Sequence, residues 1–236
     1  MKLALLLACA PAPAAENKYD VLAKALMPFV NVFARQTQHP MRAMQLAVRL
    51  ESMTDLPEPL AGTRAELALE YPDKLRLRGP VLGEMLTLCR RGQELWIAPA
   101  SAAAKAKLPP EDPSFRLGPF ALPVPEKQLV FLPALFRVAD AGAESIDGEA
   151  CRVLDLRLMP ELERSLKAPG WSARVWVRPD GKPARLVVQK PGWQIAVRFE
   201  RVEFFQALPA STWQPAPDAM QLTPGRYRQL LEALVK

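Results

Sequence analysis

Apolar residues recur at two spacings along this chain, and the change of spacing separates a helix from a long region of strands. Between residues 19 and 34 the apolar side chains lie three and four positions apart, which predicts an amphipathic helix that Pro28 kinks or divides. From Ala43 to Glu51 apolar residues alternate with polar or small ones, which predicts a strand with one buried face.

Short segments with the same alternation follow as far as residue 98 and resume at residue 144, with turn residues between them. Asp147-Gly148 and Asp180-Gly181 are two-residue hairpin signals. Within residues 193–205 the alternation changes phase, which predicts a β-bulge near Glu200-Arg201. We therefore predict about nine to eleven antiparallel strands.

Two other segments flank or interrupt the strands. Residues 101–138 are rich in alanine and then in proline before a short apolar stretch, which predicts a long loop with one or two short helices that act as a lid. Near the C-terminus, Thr223 and Pro224 are typical of the start of a helix.

Together these elements predict a mainly β protein. A single curved antiparallel sheet is expected to form an incomplete, half-open β-barrel, with helices covering its concave face. The sequence contains neither a linker between domains nor an internal repeat, so residues 16–236 are predicted to form one domain.

Composition narrows the classes of function. The net charge is +6, but lysine and arginine interleave with acidic residues, which favours a mixed solvated surface. Arg76, Arg78, Arg90 and Arg91 are a candidate basic patch, yet few aromatic residues accompany them, so we expect no nucleic-acid partner. Since charges interrupt every long apolar run, we also expect no transmembrane span.

Residues 1–15 have the features of a signal peptide. Lys2 precedes a short apolar core, and Ala12-Pro13-Ala14 supplies small residues at the spacing that signal peptidase reads. This pattern predicts export to the periplasm. Residues 6–9 (LLAC) also match a lipobox, in which Cys9 would be acylated and would anchor the chain to a membrane.

The residues that usually carry catalysis are sparse. His39 is the single histidine, and neither a zinc-type spacing of ligands nor a glycine-rich phosphate loop occurs. We therefore predict no enzyme activity, no cofactor and no metal. Cys89 and Cys151 are expected either to form a disulfide in an oxidising compartment or to be buried as small apolar residues.

A half-barrel that is too wide for its own side chains to fill encloses a lined cavity. We expect the apolar strand faces to hold an acyl chain beneath the apolar stretch of the long loop; the alternative is that these residues are ordinary core. The predicted cavity and lid residues are Leu46, Val48, Leu67, Leu69, Leu86, Leu129, Leu132, Phe136, Ile195, Val197 and Phe199.

Several motifs are similar to those of a known family. Residues 70–77 (EYPDKLRL) and 92–99 (GQELWIAP) resemble a turn and a strand of the periplasmic outer-membrane lipoprotein carriers (LolA-like), and residues 175–183 (VWVRPDGKP) resemble their last hairpin. Residues 79–83 (GPVLG) are similar to a loop of the related LolB-like receptors, whose exposed leucine contacts the membrane. Leu82 matches that leucine.

The resemblance covers most of the chain after residue 18 and implies a single lipid-binding domain with a helical lid and no cofactor. It implies a monomeric periplasmic carrier of lipoprotein acyl chains or other lipid, for transport or sorting towards the outer membrane. Envelope transport proteins would then be its protein partners. The alternative is an outer-membrane lipoprotein, anchored through Cys9, that acts as a receptor or as a structural envelope protein.

Processing of the N-terminus separates soluble export from anchoring. We expect soluble export, so cleavage should proceed unaltered in a Cys9→Ser variant and in the presence of globomycin, which blocks maturation of lipoproteins. Mass spectrometry of the mature protein from the periplasmic fraction checks this expectation. Globomycin-sensitive processing that is lost in the variant would instead establish the anchored form.

Overall fold

Eleven β-strands within the described residues form one antiparallel sheet. The computed structural model describes residues 16–33, 41–54, 62–81, 84–101, 116–120, 131–165, 169–226 and 229. In chain order the strands are β1 Ala43–Met53, β2 Arg64–Glu70, β3 Lys74–Val81, β4 Glu84–Arg91, β5 Glu94–Ala98, β6 Phe136–Ile146, β7 Glu149–Leu158, β8 Ser172–Val177, β9 Pro183–Lys190, β10 Trp193–Phe205 and β11 Met220–Leu222.

The order of strands across the sheet is β11-β5-β4-β3-β2-β1-β10-β9-β8-β7-β6. Strands β1 to β5 form an N-terminal meander and strands β6 to β10 form a C-terminal meander, and the pair β1–β10 joins the two. Because β6 and β11 are both edges, the described sheet is open. The prediction of a mainly β, half-open barrel is therefore confirmed.

The predicted hairpin signals lie where the structure turns. Asp147 and Gly148 connect β6 to β7, and both have positive φ angles, of 54° and 82°. Positive φ at both central residues defines the type I′ turn, whose twist matches that of the flanking strands. Asp180 and Gly181 lie in the turn between β8 and β9, where the Gly181 N–H donates to the carbonyl of Arg178 at 2.9 Å.

A long helix, α1, spans Lys18–Phe33 and continues through Pro28 as one helix. The backbone N–H of Tyr19 donates to Oδ1 of Asn17 at 3.1 Å, which caps the first turn. The residues that α1 buries are Val21, Leu22, Ala25, Val30 and Val32.

α1 packs on the face of the sheet that we call the inner face. Its N-terminal half contributes Leu22 to a cluster with residues of β6, β7 and β8. Its C-terminal half contributes Val32 to a second cluster with Met44 and Leu69, and the ring of Phe29 meets that of Phe204 edge-on at 5.1 Å. The helix therefore covers part of the inner face and bridges the two meanders.

The remaining helical segments are short. Helix α2 spans Pro160–Ser165, and turns of 3-10 helix span Leu132–Leu135 and Ala210–Trp213. Residues 224–226 are helical, and the Arg226 N–H donates to Oγ1 of Thr223 at 3.3 Å, as the sequence predicted for a capping residue. The rest of that predicted helix lies outside the described ranges, apart from residue 229.

The two described cysteines are buried on different parts of the sheet. Cys89 of β4 packs with Leu208 and Trp213, whereas Cys151 of β7 packs with Trp176. Both thiols are free, and six strands lie between β4 and β7, so no disulfide links them. The structure thus has the two cysteines as small buried residues and not as a disulfide. Burial raises the pKa of both thiols.

The predicted bulge in β10 is confirmed. Ala47 of β1 pairs with Arg201 and Val48 pairs with Phe199, so Glu200 is the extra residue on β10. Its carboxylate accepts hydrogen bonds across the strand pair, at 2.7 Å from Nε of Arg49, and pairs with Nε of Arg64 at 3.3 Å.

A second irregularity on β1 places another glutamate at the same seam. Leu50 and Ser52 have partners on β10, and Glu51 between them has none. Its carboxylate accepts from Nε of Arg185 at 2.6 Å and from Nε of Arg198 at 2.8 Å. Burial raises the pKa of Glu51, but the two arginine hydrogen bonds outweigh burial and hold the pKa below its ordinary value of 4.5.

Glu51→Gln tests the contribution of this seam. The folded state holds the Glu51 proton less tightly than the unfolded state, so the stabilisation is complete above the ordinary pKa and is lost as the pH falls through the lowered value. We expect the variant to lose about 1–3 kcal/mol of unfolding free energy near pH 7, and the loss to shrink in acid. Urea denaturation across the pH range measures both.

Glu161→Gln in α2 is the matched control, because the Glu161 side chain is 77% exposed and its ion pair with Arg164 has a separation of 3.7 Å. An exposed pair of this kind contributes little, so this variant should unfold like the parent protein. A Glu51→Gln deficit that did not change between neutral and acid pH would contradict the role of the charged carboxylate.

Candidate ligand-binding cavity

A cavity of about 460 Å³ opens on the inner face, between the middle of the N-terminal meander and β10. Its walls are mainly aliphatic, and its volume lies within the roughly 300–1,000 Å³ of ordinary small-ligand pockets. The lining residues are Leu46, Val48, Leu50, Thr63, Ala65, Glu66, Leu67, Leu77, Arg78, Gly79, Pro80, Leu86, Leu88, Ile195 and Val197.

Strand alternation places the aliphatic residues of the cavity on one face. Paired residues of neighbouring strands share a face, and the register pairs Leu46 with Leu67, which pairs in turn with Leu77. Leu77 pairs with Leu88, so one row of leucines crosses four strands. The intervening polar residues of these strands project to the opposite face.

The cavity stays open because some residues of its wall are small and because no residue of α1 lines it. A side chain at Gly79 would have its Cβ 3.3 Å from that of Ala65, so two of the smallest residues meet in the wall. Further along the same strands, the inner face is filled instead by packing of Leu69 and Leu75 with aromatic rings of α1 and with Phe120. One end of the inner face is thus packed and the other is hollow.

Residues 116–120 help to close the packed end. The buried Arg90 donates from Nε to the carbonyl of Gly92 at 3.0 Å and from Nη2 to the carbonyl of Gly118 at 2.5 Å. Its guanidinium also lies 4.6 Å from the ring centroid of Phe120. Gln93 adds two hydrogen bonds to the backbone of Leu117, at 2.7 and 3.2 Å.

The structure distributes the sequence-predicted cavity residues over three environments. In the cavity wall lie Leu46, Val48, Leu67, Leu86, Ile195 and Val197. Leu69 and Phe136 are instead part of the core clusters under α1, because the helix covers the ends of the strands that carry them. Phe199 is half-buried and pairs with Val48 without lining the cavity.

The remaining predicted site residues, Leu129, Leu82 and Cys9, lie outside the described residues, as does the side chain of Leu132. His39, which we did not assign to any site, lies outside them too.

Sequence reasoning missed part of the wall. Leu50, Leu77 and Leu88 continue the period-two rows that identified Leu46, Leu67 and Leu86, so the same signal could have found them. Ala65 and Gly79 carried no such signal, because their contribution is the space that they leave empty.

The described residues contain neither a metal-ligand cluster nor a membrane-spanning helix. Within them, no group of three or more His, Cys, Asp or Glu side chains is arranged to hold a metal ion. None of the described helices combines the length and hydrophobicity that crossing a bilayer requires.

The fold and cavity define an open antiparallel half-barrel that carries an apolar pocket on its inner face. No family model matches the chain, and no curated protein matches it. Solved structures that are similar to it include MucB in complex with MucA(peri), with a TM-score of 0.46, 14% identity, and coverage of 88% of this chain and 62% of that one. The chain thus spans less than two thirds of that MucB chain.

Two further similar structures match over almost their whole length. The lipoprotein LppX of Mycobacterium tuberculosis has a TM-score of 0.45 and 11% identity, with coverage of 81% of this chain and 96% of that one. A LolA superfamily protein of Nitrosomonas europaea has a TM-score of 0.31 and 14% identity, with coverage of 85% and 99%.

Proposed function

We propose that this protein is an exported carrier that binds acyl chains of lipoproteins or other lipid in the inner-face cavity, for transport or sorting towards the outer membrane. The observation that carries the proposal is the aliphatic cavity of about 460 Å³ between β1, β2, β3, β4 and β10. A mature protein that followed the predicted signal peptide would work in the envelope, where acylated proteins and lipids are available.

The physics of the cavity suits reversible binding. Removing a methylene group from water contributes about 0.8 kcal/mol, so ten methylenes contribute about 8 kcal/mol before the cost of association. This gross figure corresponds to affinities no tighter than the micromolar range. A carrier has to release its cargo, and such an affinity permits release.

A second candidate is an envelope lipoprotein anchored through Cys9 that acts as a receptor or as a structural protein. The lipobox-like residues 6–9 favour it. It would use the same cavity and would differ from the carrier in its attachment to a membrane.

Val48→Trp tests the cavity as the binding site. Val48 lines the cavity from β1, and an indole there would occupy the space of a chain. We expect binding of a long-chain fatty-acid probe to weaken by about tenfold or more, because several methylenes of burial are lost. Displacement of a fluorescent fatty acid, followed by titration, measures the change.

Met85→Trp is the control, because it introduces the same side chain on β4 directly before the lining residue Leu86, and therefore on the opposite face of the sheet. Met85 is 48% exposed, so this variant should keep the parent affinity. If the parent protein bound no long-chain probe, or if both variants bound it like the parent, the cavity would not be the site and the proposed function would fail.

A further inference from the structure

Two tryptophans and one lysine form a cluster where the termini of three neighbouring strands of the C-terminal meander meet. Trp171 precedes β8, Lys190 ends β9 and Trp193 begins β10. The ring centroids of the two tryptophans are 5.9 Å apart. Nζ of Lys190 lies 5.4 Å from the ring centroid of Trp171 and 5.8 Å from that of Trp193. We call these three residues the mouth cluster.

The mouth cluster lies on the inner face. Trp193 and Ile195 are two residues apart on β10, so their side chains share a face, and Ile195 lines the cavity. Lys190 is the register partner of Trp193 and shares that face too. The apolar row of β10 therefore runs from Val197 in the cavity to Trp193 at the rim, a distance of about 13 Å at roughly 3.3 Å per residue.

Lys190 contacts aromatic rings, whereas the neighbouring cations pair with carboxylates. Arg185, on the same strand, pairs with Glu51 at 2.6 Å, and Lys182, in the turn before that strand, pairs with Asp180 at 3.5 Å. Among the described residues Lys190 has no ion pair, and its contacts are the two indole rings. The rings hold the ammonium at the rim, where no carboxylate of the described ranges compensates its charge.

We propose that the mouth cluster is the headgroup site of the cavity, and that Lys190 receives the phosphate or carboxylate of an anionic lipid whose chain lies in the cavity. This inference rests on the proposed function, because it assigns the headgroup of the same ligand. An aliphatic wall that ends in an ammonium ion matches an amphiphile that has a chain at one end and an anion at the other.

The cluster favours an anionic group over a quaternary ammonium. Paired indole rings can bind choline through cation–π contacts. Here the ammonium of Lys190 already lies against both rings and would repel a second cation. Tryptophan and lysine are also the side chains that place an apolar body and a polar tip at a lipid–water boundary.

Matched palmitoyl lipids test the headgroup preference separately from chain binding. The probes are lysophosphatidylglycerol, which is anionic, lysophosphatidylcholine, which is zwitterionic, and monopalmitoylglycerol, which is neutral. Each displaces a fluorescent fatty alcohol from the full chain below its micellar concentration. We expect the anionic probe to bind about two- to fivefold tighter than the neutral one, as one exposed charge contact provides.

Three variants assign that preference to Lys190. Lys190→Gln should abolish the preference for the anionic probe while leaving the affinity for the neutral probe unchanged. Lys190→Arg should retain the preference. Lys182→Gln removes the same charge from the opposite end of the β8–β9 hairpin and should behave like the parent protein.

Every other outcome overturns the inference. If the parent protein binds all three probes equally, or if Lys190→Gln keeps the preference, the headgroup site is wrong and the carrier function stands. If glycerol phosphate without a chain competes as well as the anionic lipid, the site binds free phosphate and not a headgroup. If no probe binds the parent protein, the proposed function fails and the inference fails with it.

Discussion

The pairing of β1 with β10 joins two meanders that would otherwise be separate sheets. It runs from the pair Ala43 and Phe205 to the pair Met53 and Ile195 and accommodates two irregularities, each occupied by a glutamate. Glu51 of β1 binds two arginines of the C-terminal meander, and Glu200 of β10 binds two arginines of the N-terminal meander. Bulges increase the local twist of a strand, and a strongly twisted sheet curves. The seam therefore both connects the halves and favours the curvature that gives the sheet an inner face.

The cavity follows from how unevenly α1 fills that face. Leu22 packs on the C-terminal meander, and the rings of Phe29 and Phe204 meet where the N-terminal meander begins, so one end of the inner face is a core like any other. Towards the opposite end the rows of leucine continue, but residues as small as Ala65 and Gly79 stand beside them in the wall. A row of apolar side chains with nothing packed on it is costly in water unless a ligand covers it. The proposed acyl chain would cover the apolar wall that the described residues leave open.

Much of the sheet could be predicted from the sequence because its signals are local. Alternation fixed which residues share a face, Asp147-Gly148 defined a turn by its backbone preference, and the change of phase near Glu200 located a bulge. Alternation gives the face of a residue but not its position relative to an element distant in sequence. Leu69 obeys the same pattern as Leu67, yet Leu69 is buried in the cluster under α1, whereas Leu67 packs at the edge of that cluster and also lines the cavity. The mouth cluster is likewise non-local, since three strand ends have to meet before it exists.

Native mass spectrometry of the protein, purified from the bacterial envelope without detergent, tests whether the inner-face cavity holds a lipid. If the cavity holds an acyl chain, the spectrum should contain a complex with one chain-bearing lipid, which disappears after extraction with organic solvent and returns when a long-chain lipid is added. If the protein has only its polypeptide mass before extraction and takes up no long-chain lipid afterwards, the cavity is not a lipid site.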